Sequence, residues 1–593
     1  MTESAPKPDT AIDRRRLLKA AAFSGFAVSV GACARDGDGA PGAGETISGK
    51  TPGAKITVET IAEAEKLQGL AYTDAERAMM LEGLEETLQS LAGLRAHDMP
   101  NDLAPALVFN PKLPREKVAR QKNSLGLSGS YKEALPESDG DIAFASAAQL
   151  GAWIRSGALT SARLTEIYLD RIARYNEALQ CYITVTPEIA REQAAKADRE
   201  IAQGRDRGPL HGVPYGLKDL ADTKGVATTW GATPFKDRVP DADADIVRKL
   251  KSAGAVLLGK TSCGALAYGD QWFGARTRNP WNPQEGSSGS SAGSASATAA
   301  GLCGYSIGTE TLGSIVSPSE RCGVAGLRPT FGRVSRAGFM ALCWSLDKVG
   351  PICRTIEDTA LVLSAINGFD ADDPSAARIG FTYDGAANVA DMTVGYVPAW
   401  FEAGDEADRA ALDALKSLGV TLKEFAFPDF RFDTLVQTVL VEAAAAFADL
   451  TLNDGDDDLV WQEPQAWPNT FRQARFISAV DYVQIDRLRR KLMTAMARAF
   501  DGFDALIGPN FAGGALLATN CTGHPQLIVR AGFAQTPNRT LFDNASDAEV
   551  AETFRTPRGV SLWGPLFGEG PMIRLAHALE KELGVSSARP PGY

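Results

Sequence analysis

The sequence predicts an α/β protein in which helices flank a central mixed β-sheet, preceded by a helical N-terminal extension. Short apolar runs, AVLL at residues 255–258 and YSI at residues 305–307, are typical of buried strands and alternate with helical segments. A strand-helix-strand pattern follows over residues 394–428. Ahead of these elements, apolar residues recur at three- and four-residue spacing through residues 57–103, which is the period of a helix.

Other elements follow from local signals along the chain. Helices are predicted to begin at Ser146 and Thr160, and a strand with a turn is predicted at residues 506–509. The acidic run at residues 453–458 predicts a surface loop. Further helices are predicted over residues 187–203, 245–253, 479–500 and 572–583.

Composition limits the classes of partner. The chain has 593 residues, of which 44% are hydrophobic and 23% are charged, as in ordinary globular proteins. The net charge of −12 indicates no basic surface, so neither nucleic acid nor an anionic membrane is an expected partner. The sequence gives no oligomeric state.

Residues 1–34 predict an export signal. The basic segment DRRRLLK at residues 13–19 precedes an apolar run at residues 20–34 that is too short to span a bilayer. Its adjacent arginines resemble a twin-arginine signal. The segment VGAC ends at Cys33 and resembles a lipoprotein cleavage box, whereas ACA at residues 32–34 also fits an ordinary A-x-A cleavage site. We expect an exported protein, periplasmic or anchored to the membrane by a lipid on Cys33.

The rest of the chain divides into three parts. Residues 35–55 are rich in Gly, Asp and Pro, which is typical of a flexible linker. Residues 56–140 are predicted to be a helical extension and a polar connector, and Thr73 with Glu76 forms a capping box at a helix start. This extension packs on the main domain or serves as a lid or oligomer contact. Residues 141–593 form the main domain.

A segment of small residues at 279–330 is the most informative part of the sequence. Ser290 and Ser314 each lie beside a glycine, an arrangement that can expose a nucleophile and aim consecutive N–H groups at an anion. A flexible linker would lack the apolar runs within this segment. A G-x-S-x-G nucleophile elbow at residues 289–293 would need a buried strand before it, but NPWNPQE at residues 279–285 is typical of a loop.

Three motifs, in order, resemble those of the amidase signature family. Residues 212–219 read GVPYGLKD, similar to the family's G-[IV]-P-x-x-x-K-D. Residues 289–294 read GSSAGS, similar to the core of G-G-S-S-G-G-S, and residues 308–318 read GTETLGSIVSP, similar to G-[ST]-D-x-G-G-S-[IV]-R-x-P. The resemblance covers the chain from about residue 142 onward. It implies an amidase-signature fold and makes residues 141–593 the catalytic domain.

The resemblance also implies a catalytic triad. Ser314 would be the nucleophile, Ser290 would relay its proton, and Lys218 would be the base. Lysine has an ordinary pKa of about 10.4, so Lys218 must be buried among uncharged residues to be neutral at pH 7. The neighbouring Asp219 would oppose this change in pKa, so its side chain is expected to face elsewhere.

Backbone groups complete the implied site. In the family the peptide bond before the relay serine is cis, which here is the bond between Gly289 and Ser290, and Ser291 is expected to support the site by hydrogen bonding. No cofactor or metal is needed for this chemistry. The implied oxyanion hole consists of four backbone N–H groups, those of Thr311, Leu312, Gly313 and Ser314.

The chain departs from the family pattern at three positions. Glu310 stands where the family has aspartate, and Leu312 stands where it has the first glycine of G-G-S. Val316 stands where an arginine is expected, and Arg321 lies near in sequence without an evident equivalent role. The last departure weakens any expectation of a substrate carboxylate bound by that arginine.

Histidine and cysteine patterns offer no rival site. No H-E-x-x-H or C-x-x-C motif is present, so a metallohydrolase or a thioredoxin-like protein is disfavoured. His211, seven residues before Lys218, is a candidate for lining the site, and a Ser-His-Asp hydrolase would need His524 or His577. The cysteines are expected to be mostly reduced and buried.

These observations predict a serine amidase that hydrolyses a small-molecule carboxylic amide to an acid and ammonia or an amine, through an acyl-enzyme on Ser314. An ester or carbamate hydrolase would use the same chemistry. The glutaminase (A) subunit of a tRNA-dependent amidotransferase shares the signature, but it works in the cytosol, which the export signal contradicts. A non-catalytic binding protein would not need all three triad residues. The sequence does not identify the amide.

Overall fold

The computed structural model describes residues 55–95, 97–114, 116–539 and 552–593. The predicted signal peptide, Cys33 and nearly all of the predicted linker lie outside these residues. Within them, the strands are β1 Ser124–Gly126, β2 Tyr182–Val185, β3 Pro214–Lys218, β4 Val256–Thr261, β5 Gln271–Trp272, β6 Ala275–Arg276, β7 Arg278–Asn279, β8 Asn282–Gly286, β9 Tyr305–Glu310, β10 Ala325–Arg328, β11 Lys348–Cys353, β12 Thr382–Asp384, β13 Thr393–Tyr396, β14 Thr421–Glu424, β15 Ala505–Pro509, β16 Gln526–Pro537 and β17 Thr553–Trp563.

Eleven strands of the described chain form one mixed sheet, in the order β14-β13-β15-β17-β16-β10-β11-β9-β3-β4-β2. Pairing is parallel from β14 through β13 to β15 and from β9 through β3 to β4, and antiparallel at the other junctions. The predicted mixed α/β architecture is therefore confirmed. Because β3 and β9 are parallel neighbours, Lys218 and Glu310, at their carboxyl ends, lie at the same edge of the sheet.

Helices cover the sheet and form the N-terminal extension. The predicted starts at Ser146 and Thr160 are confirmed, since each side chain accepts a hydrogen bond from a backbone N–H three residues on. The helices are α1 Val58–Gln68, α2 Asp74–Arg95, α3 Asp139–Ala143, α4 Ala147–Ser156, α5 Ser161–Leu179, α6 Pro187–Ala202, α7 Asp245–Ser252, α8 Ala292–Ala299, α9 Val316–Cys322, α10 Ile356–Ile366, α11 Pro398–Glu402, α12 Glu406–Ser417, α13 Phe432–Ala446, α14 Ala448–Leu452, α15 Trp467–Ala474, α16 Ala479–Ala499, α17 Ala515–Thr522 and α18 Glu569–Leu583.

Helices α1 and α2 are the predicted extension before the main domain. The capping box at α2 is present, because the N–H of Thr73 donates to Glu76 Oε2 at 2.8 Å and the N–H of Glu76 donates to Thr73 Oγ1 at 3.3 Å. The Gln68 side chain donates to the carbonyl of Phe476 at 2.7 Å, which ties α1 to the segment before α16. These contacts hold the extension against the main domain.

Three regions differ from the sequence-based expectations. Residues 279–285 were expected to be a loop, but they contain most of strand β8, which pairs with β7 in a separate two-stranded sheet. The long antiparallel hairpin of β16 and β17 was not predicted, although it lies near the middle of the sheet. The acidic run at residues 453–458 is more than a surface loop, because Gly455–Asp458 forms a 3₁₀ turn and Asp456 is buried. The carboxylate of Asp456 forms an ion pair with the guanidinium of Arg472, with 2.8 Å between the nitrogen and the oxygen. This pair offsets the cost of burying the charge of Asp456.

Two further features concern the whole described chain. Seven of the eight cysteines are described, and all seven are buried and form no disulfide, as expected for reduced, structural cysteines. Of the helices in the described ranges, none combines the length and the apolar character that crossing a bilayer would require.

Candidate active site

Lys218 ends strand β3 and is completely buried. Its Nζ lies 2.9 Å from Ser290 Oγ and 3.1 Å from Ser291 Oγ. It also lies 2.8 Å from Thr309 Oγ1 and 3.4 Å from the carbonyl oxygen of the same residue. Two segments about seventy residues apart in sequence therefore meet at one amine, as the resemblance implied.

The two serines at this amine are placed differently. The Ser291 hydroxyl donates to the carbonyl of Thr309 at 2.9 Å and accepts from the N–H of Thr309 at 3.1 Å. Its only proton is therefore engaged with the backbone of β9, which suits a supporting residue. Apart from Lys218, no hydrogen bond to Ser290 Oγ is formed within the described residues.

The peptide bond between Gly289 and Ser290 is cis, as the resemblance implied. Glycine is required at position 289 because a Cβ there would lie 1.9 Å from the carbonyl oxygen of Gly269. The N–H of Ser291 donates to the carbonyl of Ser314 at 3.1 Å. This bond joins the two halves of the small-residue segment and brings Ser314 beside the Lys218 cluster.

Ser314 is the most accessible of the three implied triad residues, with 9% of its surface exposed against 1% for Ser290 and none for Lys218. Within the described residues its hydroxyl makes no hydrogen bond, so the link from Ser290 to Ser314 is not closed in this structure. Catalytic hydrogen bonds commonly tighten only when substrate binds.

Burial lowers the pKa of Lys218 from 10.5 to about 7. A substantial neutral fraction is then present at physiological pH, which a base requires. The expectation for Asp219 is confirmed, because its Oδ2 accepts hydrogen bonds from the N–H and hydroxyl of Thr229, and its Oδ1 lies 3.5 Å from Lys260 Nζ. The carboxylate is engaged there and not with Lys218.

The loop from Thr311 to Ser314 presents four consecutive backbone N–H groups. Within the described residues none of the four donates a hydrogen bond. Gly313 has φ +94°, in the left-handed region that favours glycine. Consecutive N–H groups of this kind can form a concave site for an anion. The four N–H groups that the resemblance implies as oxyanion donors are therefore all available on one loop, which ends at Ser314.

Glu310 fixes the ends of this loop. Its Oε2 accepts from the N–H groups of Ile315 and Val316 at 2.8 and 2.9 Å, and its Oε1 accepts from Arg328 and Asn520 at 2.8 and 2.9 Å. Burial alone would raise the pKa of Glu310, but Arg328 and Lys348 outweigh it and lower that pKa to about 2. Glutamate thus holds the loop that carries Ser314.

Replacement of Glu310 by glutamine is expected to lower the free energy of unfolding by about 3 kcal/mol, because Arg328 would remain buried with its charge uncompensated. In the wild type, the carboxylate contributes stability above its ordinary pKa of 4.5 that is lost as the pH falls toward 2. Urea unfolding of both proteins at pH 7 measures the difference. Equal unfolding free energies would contradict this account of Glu310.

The structure also shows how the chain accommodates its other two departures from the family pattern, at positions 312 and 316. The Leu312 side chain is partly buried and packs against the main core, so the loop accommodates it. Val316 is fully buried in the first turn of α9, and Arg321 donates to the carbonyl of Arg539 at 3.3 Å. Neither residue therefore supplies the charge of the family's arginine.

None of the described histidines is bonded to the serines of the site. The candidate His211 was wrong as a lining residue, because it lies in a separate cavity with Glu200, whose carboxylate is 3.3 Å from its Nε2. His524 bonds to Thr522 at 2.7 Å, and burial lowers its pKa to about 3. His577 bonds to Ser128 at 2.9 Å.

Sequence reasoning missed two side chains at the site. Thr309 contacts Lys218, and its only signal was the [ST] position of the motif. Asp347 accepts from the Thr311 hydroxyl at 2.5 Å and from the N–H groups of Leu342 and Cys343, and nothing in its sequence context marks it. Asp347 immediately precedes strand β11 and supports the loop through its bond to Thr311.

A family model described as Amidase matches residues 163–571 of this chain. The chain therefore belongs to the amidase signature family, whose members are hydrolases that act on C–N bonds. The matched region contains Lys218, Ser290 and Ser314 and begins after helices α1 and α2.

Among similar proteins, the one named amidase AmiD of Mycobacterium tuberculosis is 35% identical over 452 residues, covering 74% of this chain and 94% of that protein. The A subunit of the glutamyl-tRNA(Gln) amidotransferase of Methylobacillus flagellatus is 31% identical over 487 residues, covering 73% of this chain and 96% of that protein. The structure of a peptide amidase from Stenotrophomonas maltophilia is similar, with a TM-score of 0.63, 30% identity, and coverage of 76% and 98% of the two chains.

Proposed function

We propose that this protein is a serine amidase that hydrolyses a carboxylic amide through an acyl-enzyme on Ser314. The observation that carries the proposal is the buried Lys218 amine, which lies 2.9 Å from Ser290 Oγ and has a pKa of about 7. Beside it is the loop of residues 311–314, whose four backbone N–H groups donate no hydrogen bond within the described residues. A serine hydroxyl is a weak nucleophile unless a neighbouring base takes its proton, and Lys218 is the group proposed for that role.

The residues divide the reaction as follows. Ser314 Oγ attacks the amide carbonyl and passes its proton to Ser290, whose own proton goes to the neutral Lys218. The carbonyl oxygen gains negative charge and is stabilised by the N–H groups of residues 311–314. The relay then runs in reverse to protonate the leaving nitrogen. Water attacks the acyl-enzyme through the same relay and releases the acid.

The glutaminase component of a tRNA-dependent amidotransferase is the second candidate, favoured by the 31% identity to one such protein. Against it, Val316 stands where the family's arginine would offer a charge to a substrate carboxylate, and Arg321 is held by the backbone of Arg539. Co-purification with the other components of an amidotransferase would support this candidate, and turnover by the isolated chain would support the amidase.

Turnover of an amide panel tests the proposal. Protein beginning at about residue 35 is incubated with primary aliphatic amides, aryl-acylamides, peptide amides and esters, and acid formation is measured. Release of acid from at least one amide supports an amidase. Cleavage of esters alone would replace the proposal with an esterase, and no turnover at all would favour a binding role.

We also propose that the chain is exported and anchored by a lipid on Cys33. The support is the sequence of residues 13–34 alone. Cells that express the full chain are labelled with a radioactive fatty acid, and label is expected in the wild type and absent in Cys33→Ser. An unlabelled wild-type protein recovered from the periplasm would contradict the anchor and favour ordinary cleavage.

A further inference from the structure

A cavity of ≈ 120 Å³ opens beside the catalytic cluster and is lined partly by the N-terminal extension. Its lining includes Thr309, which contacts Lys218, and Thr311, which begins the loop of residues 311–314. The exposed Asp102 and the partly buried Ala104 also line it, and this solvent-facing part of the lining is called its outer end. Residues of the extension thus lie on the same cavity as the neighbours of the reacting groups.

The outer wall is held in place by Asn101. Its side-chain N–H groups donate to the carbonyls of Ala341 and Ala446 at 2.8 and 3.3 Å, and its Oδ1 accepts from the N–H of Ala341 at 2.7 Å. Ala341 itself lines the cavity. Two of these three hydrogen bonds therefore fasten the segment from Asn101 to Ala104 to another residue of the lining.

The chemistry of the lining is apolar inside and acidic at the outer end. Phe339, Met340 and Leu342 supply apolar surface. Asp102 and Asp372 line the cavity as exposed residues, and their carboxylates have no ion-pair partner within the described residues. An apolar group would be favoured in this cavity, and a negatively charged one would be repelled.

Arg336 does not offset that repulsion. It also lines the cavity, but its guanidinium is paired with the buried Asp373 at 3.2 Å and donates to the carbonyl of Trp344 at 2.6 Å. Its charge is therefore largely compensated locally. Lys348 also lines the cavity, but it is buried and donates to the carbonyl of Thr311, whereas Asp102 and Asp372 are the exposed charges of the lining without an ion-pair partner in the described residues.

We propose that residues 101–104 of the N-terminal extension form the outer wall of the substrate cavity and select amides whose substituent there is apolar and carries no negative charge. This inference rests on the proposed amidase function. The match to the family model begins at residue 163, so this wall is supplied by a part of the chain outside the matched domain. Ala104 would limit the size of the substituent and Asp102 its charge.

The size of the substituent is tested with Ala104→Phe. Its matched control is Ala106→Phe, the same change two residues away at an exposed position that does not line the cavity. The substrates are two series of amides in which the acyl or the amine group grows from methyl to phenylethyl. In Ala104→Phe, kcat/KM for the largest member is expected to fall about tenfold relative to the smallest, because the ring occupies the cavity. Ala106→Phe is expected to keep the wild-type ratio.

Charge selection is tested with Asp102→Asn and an isosteric pair of amides, one neutral and one carrying a carboxylate. The kcat/KM ratio of anionic to neutral substrate is expected to rise about threefold, since one repulsive charge is removed in a solvated environment. Glu82→Gln removes a charge from α2, away from the cavity, and is expected to leave the ratio unchanged.

The outcomes separate this inference from the function beneath it. Suppose that the wild type hydrolyses an amide. The proposed role of residues 101–104 is then wrong if Ala104→Phe and Ala106→Phe have the same kcat/KM ratio of largest to smallest substrate, or if Asp102→Asn keeps the wild-type kcat/KM ratio of anionic to neutral substrate. Either result would leave the proposed amidase function intact. No wild-type turnover of any amide would overturn the proposed function and the inference together.

Discussion

Replacement of Ser314 by alanine is expected to lower kcat/KM by four orders of magnitude or more, on the scale of about 10⁶ seen when a catalytic serine is removed. The reason is that Ser314 lies on the loop whose four backbone N–H groups donate no hydrogen bond, and its hydroxyl is partly exposed and makes no hydrogen bond within the described residues. No other described hydroxyl beside this loop has both properties. The measurement is turnover of the best amide of the panel by wild type and by Ser314→Ala.

The thermal melt of Ser314→Ala is expected to match that of the wild type, with the free energy of unfolding changed by no more than about 0.5 kcal/mol, because the lost hydroxyl makes no hydrogen bond within the described chain. Ser319→Ala is the matched control. Ser319 lies five residues further on, in α9, and its Oγ is also unbonded. Full activity in Ser314→Ala, or equal loss in Ser319→Ala, would refute the assignment of the nucleophile.

Replacement of Lys218 by alanine is expected to reduce kcat/KM by about 10³-fold or more, within the range that general-base catalysis contributes. The wild-type enzyme should also show a characteristic pH profile. A protonated amine cannot accept the proton of Ser290, so kcat/KM is expected to rise about tenfold per pH unit below pH 7 and to level off above it, following the pKa of about 7. The profile is measured from pH 5 to pH 9.

A second buried lysine makes a control necessary. Burial also lowers the pKa of Lys348 to about 7, and this residue lies against the carbonyl of Thr311 at 3.4 Å. In Lys348→Met the absolute rate will change, but the inflection near pH 7 is expected to remain. A wild-type pH profile without an inflection near pH 7 would contradict the role given to Lys218. So would an inflection that is present in the wild type and absent in Lys348→Met.

Local motifs indicated which residues of the candidate site lie close together. Lys218 contacts Ser290 and Ser291, and residues 311–314 form a loop, because the glycines of these motifs allow a close backbone approach at Gly289 and a left-handed conformation at Gly313. The strand that ends at Glu310 is predicted by the apolar run at residues 305–307, whereas the strand that ends at Lys218 is not predicted by the sequence. Their parallel pairing then brings the motifs to one edge of the sheet.

Long-range contacts could not be predicted in this way. Asp347 reaches Thr311 only because β11 pairs with β9, and the alternation of residues along β16 and β17 does not reveal that they pair with each other. The same limit applies to the cavity wall. Asn101 contacts Ala341, 240 residues away, and no feature of the extension's helical pattern indicates that contact. Such pairings depend on the whole fold and not on local sequence.

Covalent labelling of the nucleophile tests the central claim most directly. The protein from residue 35 onward is incubated with a serine-directed fluorophosphonate, and the modified peptide is identified by mass spectrometry, with Ser314→Ala treated in parallel. We expect one adduct, on Ser314, at a rate that rises with pH through about 7, and no adduct in the variant. An adduct on Ser290 or on another residue, or amide turnover that persists when Ser314 is fully labelled, would contradict an acyl-enzyme on Ser314.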